Sequence, residues 1–230
     1  MSYINFVTIY LFIPATVLFF ASKKRGKLWL IGLLIHLFIA LIYTIPWDSF
    51  LIKNDIWYYD RKYILLTIFS IPLGEYFFMI LQTILVCLII KPEKLKFDNK
   101  TKLKFSLTGG IIALCILLAG LLAFQYNKSR YLSLILLWAA FPLGIQLIVG
   151  LKILKDNIIW ISTYCLTISC YFSVIDSFAL DKIWTISDKT SLGIKIGNIP
   201  IEESLFFLFT TLFILNGMCL WFRFTKDENC

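Results

Sequence analysis

The sequence predicts an all-α membrane protein with seven transmembrane helices, arranged as two parallel three-helix repeats plus a linker helix. Three observations predict it. Of 230 residues, 60% are hydrophobic and 16% charged, against roughly 45–50% and about 25% in an ordinary soluble domain. Seven apolar stretches come close to the roughly 20 residues a bilayer-spanning helix needs. The chain also matches itself at an offset of 128 residues, at prolines and acids as well as at apolar positions. The mean hydropathy of +0.84 excludes a disordered chain and a nucleic-acid-binding domain.

The first stretch is Tyr3–Ala21. Its positive cluster follows the apolar run instead of preceding it, so it reads as a retained anchor and not a cleavable signal. Leu28–Ile45 is the second. The third, Pro72–Ile90, follows an apolar run over Tyr63–Ile71 that either extends the helix or dips into the interface. Phe105–Phe124, Tyr131–Gly150, Ile158–Ile175 and Pro200–Phe222 complete the set. These spans divide the chain into a first repeat (1–90), a linker region (91–127) and a second repeat (128–230). They leave no room for a separate soluble domain.

With the N-terminus outside, the inner segments hold Lys23, Lys24, Arg25 and Lys27, then Lys91, Lys94, Lys96, Lys100, Lys102 and Lys104. Lys152, Lys155, Arg223 and Lys226 complete the inner set. These are 14 of the 22 cations, with eight outside. Cytoplasmic loops are enriched in Lys and Arg, so the expectation is the cell (inner) membrane, N-terminus outside and C-terminus cytoplasmic. The net charge of +8 is then topology, and no nucleic-acid partner is expected. Five of six cysteines lie inside spans, and none makes a CxxC pair, which points to packing and not to metal or disulfide chemistry. His36, the only histidine, lies mid-span and reads as a hydrogen-bonded packing residue.

The 128-residue offset places Tyr3 on Tyr131, Pro14 on Pro142, Tyr43 on Tyr171 and Pro72 on Pro200. Asp48-Ser49-Phe50 falls on Asp176-Ser177-Phe178, and Glu75 on Glu203. Corresponding spans then point the same way, so the halves are related by an axis near the membrane normal. Asp48 and Asp176 are expected to end the second and sixth spans. Glu75, Glu202 and Glu203 fall in the first turns of the third and seventh. A proline with acids behind it is an ordinary helix start. Repetition in both halves argues for function, the default for ionisable groups at membrane depth.

Such acids suit proton-initiated chemistry on an apolar substrate. Burial and a like charge nearby favour the neutral form of a carboxyl group, whereas a helix N-terminus opposes it. Aromatic faces can stabilise a carbocation. Trp47, Phe50, Trp57, Tyr76, Phe77 and Phe78 are candidates in the first half. Phe178, Trp184, Phe206 and Phe207 are candidates in the second. Taken singly, each is better explained by packing or an interfacial belt.

Pro46-Trp47-Asp48, the Trp- and Tyr-rich loop to Tyr63, Pro72-x-x-Glu75-Tyr76-x-Phe78 and Pro200-Ile201-Glu202-Glu203-x-x-Phe206-Phe207 resemble the signatures of membrane-integral lycopene cyclases. The resemblance is to the fused form of the type found as two small subunits in actinobacteria, and joined to phytoene synthase in fungi. It covers nearly the whole chain. It implies an isomerase (an intramolecular lyase) of carotenoid biosynthesis, acting on a linear carotenoid within the bilayer and associated with other enzymes of that pathway. A terminal double bond would be protonated, the neighbouring double bond would close the ring, and proton loss would end the reaction without redox change. No GxGxxG fingerprint is present, so no dinucleotide cofactor is expected, nor is a metal.

The family usually has two adjacent acids after the first proline as well; here Gly74 stands in place of one. Adjacent helical residues point about 100° apart, so Glu75 and Glu203 carry more weight than Glu202. The rival reading is a small-solute transporter, an architecture that also uses three-plus-one-plus-three repeats. Carrier sites usually sit near the midplane, whereas these acids lie toward one face. A retinal protein would need a lysine within Pro200–Phe222, which has none. The acids near Asn54 are too poorly clustered for the magnesium-diphosphate chemistry of prenyltransferases.

Overall fold

Apolar sequence must satisfy its own backbone groups in lipid, and helices do so within one segment. The computed structural model describes residues 1–22, 25–97 and 103–227; Lys23, Lys24, Lys100, Lys102 and Cys230 lie outside the described residues. Among the described residues the long helical segments are α1 (Tyr3–Ala21, with a π-helical stretch over Thr8–Phe12), α2 (Lys27–Lys53) and α3 (Leu73–Ile89). They continue as α4 (Leu107–Ala123), α5 (Arg130–Asp156), α6 (Ile158–Asp176) and α7 (Ile201–Asp227). By length and composition, α1, α2, α5, α6 and α7 are able to cross a membrane. At 17 residues each, α3 and α4 reach about 26 Å, just under the ~30 Å hydrocarbon core.

Three helices outrun their expected ends, α7 by continuing past Phe222 to Asp227. α2 passes through Pro46 to Lys53, so Asp48 lies inside a helix and not at its end. Proline removes one backbone donor, but the helix continues, and its last turn is capped where Asn54 Nδ2 donates to the Phe50 carbonyl at 2.8 Å. The chain then leaves through Asp55 in the left-handed region, at φ 54°. α5 likewise passes Pro142 and Gly150 to reach Asp156.

The apolar run before α3 does not extend that helix. It forms a hairpin of β2 (Thr67–Ile68) and β3 (Ile71–Pro72), turned by Phe69 and Ser70 in left-handed conformations. A second hairpin, β5 (Lys195–Ile196) with β6 (Ile199–Pro200), precedes α7. Leu73 N–H donates to Leu66 O at 2.8 Å, and Ile201 N–H to Ile194 O at 2.9 Å. Each partner in the second bond lies 128 residues beyond its partner in the first.

The same offset recurs elsewhere. Tyr43 Oη donates to Trp138 O and Tyr171 Oη to Tyr10 O, each at 2.6 Å. The loops after α2 and α6 meet as an antiparallel ribbon of β1 (Trp57–Tyr59) and β4 (Trp184–Ile186), in which Trp57 faces Ile186 and Tyr58 faces Thr185. Exchanging the halves at the 128-residue offset turns one of those pairs into the other. Gln82 Nε2 donates to Thr210 Oγ1 at 2.7 Å, a residue bonded to its own counterpart.

α3 and α7 lie at the centre; α3 packs on α1, α2 and α7, and α7 on α2, α5 and α6 as well. α4 is capped at its N-terminus, where Ser106 Oγ accepts from Gly109 N–H at 3.1 Å. It lies closely along α5. A Cβ at Gly109 would strike the Leu147 carbonyl, and Ser133 Oγ donates to Gly120 O at 2.8 Å. Small residues permit this close approach in lipid.

Candidate active site

The hairpins deliver the helix starts, and the starts deliver the acids. Pro72 and Pro200 end the strands, so Glu75 and Glu203 turn inward in the first turns of α3 and α7. Glu75 Oε1 accepts the hydroxyls of Tyr3 at 2.5 Å and Tyr59 at 2.6 Å. Glu203 Oε1 accepts the hydroxyl of Tyr131 at 2.7 Å. Asp48 and Asp176 are 2% and 1% exposed. Asp48 Oδ1 and Asp176 Oδ2 have no hydrogen-bond partner among the described residues. Asp48 is within electrostatic reach of Glu75 and Glu203, and Asp176 of Glu203 and Glu75. Four buried carboxyl groups, two from each half, therefore share one neighbourhood.

Glu202 has a different place. Its Oε1 accepts the Leu192 N–H at 2.7 Å, tying down the loop before β5. Gly74, its counterpart, lies directly beneath the Tyr3 ring, where a Cβ would collide with the ring carbons.

The ribbon covers this cluster. Tyr59 is partly exposed, but its hydroxyl reaches in to Glu75. Removal from water, followed by the neighbouring Glu75 charge, holds that phenol well above its ordinary value. It therefore remains a proton donor to Glu75 across the neutral range.

An aromatic wall stands beside the acids. Trp47 stacks on Trp138 and on Phe206, with centroids 5.0 and 5.5 Å apart, and meets Trp57 edge-on at 5.6 Å. Phe78 and Phe207 lie 6.0 Å apart, and Trp184 is 5.1 Å from the Tyr3 ring. Four sequence candidates stand apart. Phe50, Phe77 and Phe178 are exposed, and Tyr76 Oη donates to Ile68 O at 2.9 Å, bracing the β2–β3 hairpin. Helical rotation of about 100° per residue explains Phe50 and Phe77. Phe50 is two positions beyond the inward Asp48, and Phe77 adjoins the inward Phe78.

Among the described residues, two of the spaces present border the acids. One, of about 390 Å³, begins at Asp48 and Glu75 and continues between α2 and α5 as far as His36, Gly217 and Trp221. The other, of about 20 Å³, lies among Tyr3, Tyr59, Glu75, Asp176, Trp184 and Glu203. His36 Nδ1 lies 2.7 Å from the Gly32 carbonyl. Cys87, Cys165 and Cys219 are buried, Cys115 and Cys170 exposed, and all five are free. Among the described residues no group of three or more His, Cys, Asp or Glu side chains is placed to hold a metal ion.

The sequence candidates omitted Tyr3, Tyr59, Tyr131 and Trp138. Tyr3 and Tyr131 already coincided at the 128-residue offset, and that match was the available signal. Trp138 had none, because its counterpart is Tyr10 and the repeated hydrogen bond uses the backbone carbonyl, which any residue supplies.

The lycopene cyclase family model matches residues 1–92 and 128–221, leaving α4 in the unmatched interval. A Halobacterium salinarum protein named lycopene beta-cyclase is 28% identical over 193 residues, covering 83% of this chain and 81% of that relative. A bifunctional lycopene cyclase/phytoene synthase of Aspergillus niger is 31% identical over 222 residues, covering 87% of this chain and 35% of its own. That of Neurospora crassa is 30% identical over 233 residues, covering 93% and 38%. The chain spans about a third of the length of these fungal relatives. No solved structure matches it.

Proposed function

Because the chain belongs to the lycopene cyclase family, we propose that it closes the linear ψ-ends of a carotenoid into rings, using the buried carboxyl cluster as the proton source and sink. One observation carries the reading. Glu75, Glu203, Asp48 and Asp176 converge beside an aromatic wall at the end of a largely apolar cavity.

The chemistry balances on protons alone. A carboxylic acid donates a proton to the terminal double bond, leaving a tertiary cation. The electron pair of the neighbouring double bond attacks it, forming the ring carbon–carbon bond and moving the charge within the new ring. A carboxylate then removes a proton from an adjacent carbon, restoring a double bond. One proton enters and one leaves, so the reaction is an isomerisation. The faces of Trp47, Phe206 and Phe78 offer the migrating charge a cation–π environment, worth about 0.5–2 kcal/mol per contact. Tyr3, Tyr59 and Tyr131 hold the two glutamates in place. Glu202 braces the adjacent loop.

The repeated hydrogen bonds and the self-paired ribbon support two parallel three-helix halves joined through α4. The loop charges support an N-terminus outside the cell membrane and a cytoplasmic C-terminus. The relatives fused to a phytoene synthase support association with other carotenoid-forming enzymes. Family membership does not favour the transporter reading.

Expression in a bacterial host that accumulates lycopene, with pigments separated by chromatography, tests the function. Cyclised carotenoids are expected from the parent chain, and strongly reduced amounts from Glu75→Gln and Glu203→Gln. Unchanged lycopene despite good membrane levels of the parent chain overturns the reading. Full activity in both variants overturns the acid assignment.

A further inference from the structure

We propose that the two halves are chemically unequal: the cleft between α2 and α5 seats the carotenoid end and presents it to Asp48 and Glu75, while the equivalent cleft on the other side is filled. This rests on the cyclase reading above and adds to it which acids meet the substrate.

The acids of the two halves border spaces of different size. Asp48 and Glu75 border about 390 Å³, within the range of small-molecule sites. Asp176 and Glu203 border about 20 Å³, alongside Glu75. That is room for about one water molecule. Glu75, Phe78 and Phe206 border both spaces, so Glu75 stands at the junction between them.

Side chains at matched positions explain the difference. Thr44, Met79 and Gly217 line the large cleft. Their counterparts at the 128-residue offset are Phe172, Phe207 and Ile89. Phe172 is fully buried, with its ring 5.8 Å from Phe207 and 6.3 Å from Phe78. Phe172 thus stands where the open side has Thr44, and packs on Phe207, which stands where it has Met79. A Cβ at Gly217 would strike the His36 ring, so the missing side chain there lets α7 approach the histidine at the cleft's far end.

The open cleft fits a long apolar guest. Its lining runs along α2 from Asp48 back to Ile35, 13 residues or about 20 Å of helix. At its flank Ile39, Phe141 and Ile145 are 53%, 64% and 49% exposed, on surfaces able to face lipid. A hydrocarbon dissolved in the bilayer reaches the acids sideways, without crossing water. Two amides in the lining are engaged within the protein, Gln82 donating to Thr210 and Gln146 Nε2 to Phe213 O at 2.8 Å, while Gln146 Oε1, Trp138 Nε1 and Asp48 Oδ1 have no partner among the described residues. The reactive end lies at Asp48 and Glu75, and the polyene extends toward His36.

Matched substitutions on the two sides test this in the lycopene-accumulating host, with membrane protein levels measured in parallel. Thr44→Phe copies the filled side into the open one. Ile145→Trp crowds its flank at an exposed position that does not burden folding. Val17→Trp places the same bulk at the counterpart of Ile145, where the residue is 60% exposed. Cyclised product per unit of membrane protein is expected to fall about ten-fold or more in Thr44→Phe and Ile145→Trp, on the scale of an overpacking cost. Val17→Trp is expected to stay within about two-fold of the parent, as surface changes generally do. If Thr44→Phe does not accumulate, Ile145→Trp against Val17→Trp decides. Equal activity in that pair, or equal loss, overturns the unequal-halves inference. An inactive parent chain overturns the cyclase reading instead.

Discussion

At Gly74 the missing side chain is a fitted part of the site. The Tyr3 ring lies where a Cβ would be, and its hydroxyl is fixed on Glu75. Gly74→Ala adds about 0.8–1.0 kcal/mol of helix propensity, but drives a methyl group into a fully buried ring. Overpacking of that kind costs about 1–3 kcal/mol. A net fall in the thermal melting temperature of the purified protein in detergent is expected, with reduced ring-closing activity as Tyr3 leaves Glu75. A melting temperature at or above that of the parent protein shows that the ring yields freely. The acid motif was legible in the sequence because prolines and acids stand out from apolar surroundings. The tyrosines that orient the acids were not, since tyrosine at a membrane interface is common and only three-dimensional placement shows which one bonds.

Hydropathy located every long helix, because length and apolarity are local properties. It stopped short at Pro46 in α2, and short of the charged last turns of α5 and α7. Pro46 and Pro142 weaken a helix on average, yet α2 and α5 carry on through them. The hairpins before α3 and α7 were not legible either. Strands of two residues have no period to read, and their pairing depends on left-handed turn residues such as Phe69, which composition does not announce. α4 offers an element-scale test. Its contact with α5 depends on Gly109, where any larger side chain meets the backbone of Leu147. Backbone cannot rotate aside, so Gly109→Leu is expected to separate the N-terminal half of α4 from α5. Increased proteolysis in the loop between α3 and α4 is the measurement. The site is built from other helices, so wild-type cleavage would show that α4 adapts.

In the whole molecule, the recurring hydrogen bonds and the ribbon of β1 with β4 hold the halves together at the end that carries the acids. Those contacts are non-covalent, and the chain connection runs through α4 at the periphery. Cutting the chain between α4 and α5 and co-expressing residues 1–126 with 127–230 is therefore expected to restore ring closure in the lycopene-accumulating host. Co-purification of the two pieces checks the assembly directly. Failure to associate would show that the covalent link is needed to bring the ribbon strands together.

The bond between Gln82 and Thr210 bears on which pieces can pair. In a symmetric dimer a position on the two-fold axis meets a copy of itself, so it must fit its own image. Here an amide meets a hydroxyl, and neither residue is a substitute for the other. Two first halves would crowd two glutamines into a space shaped for one, and two second halves would leave a void between threonines. The centre of the molecule is thus fitted to unlike partners, an amide on α3 against a hydroxyl on α7.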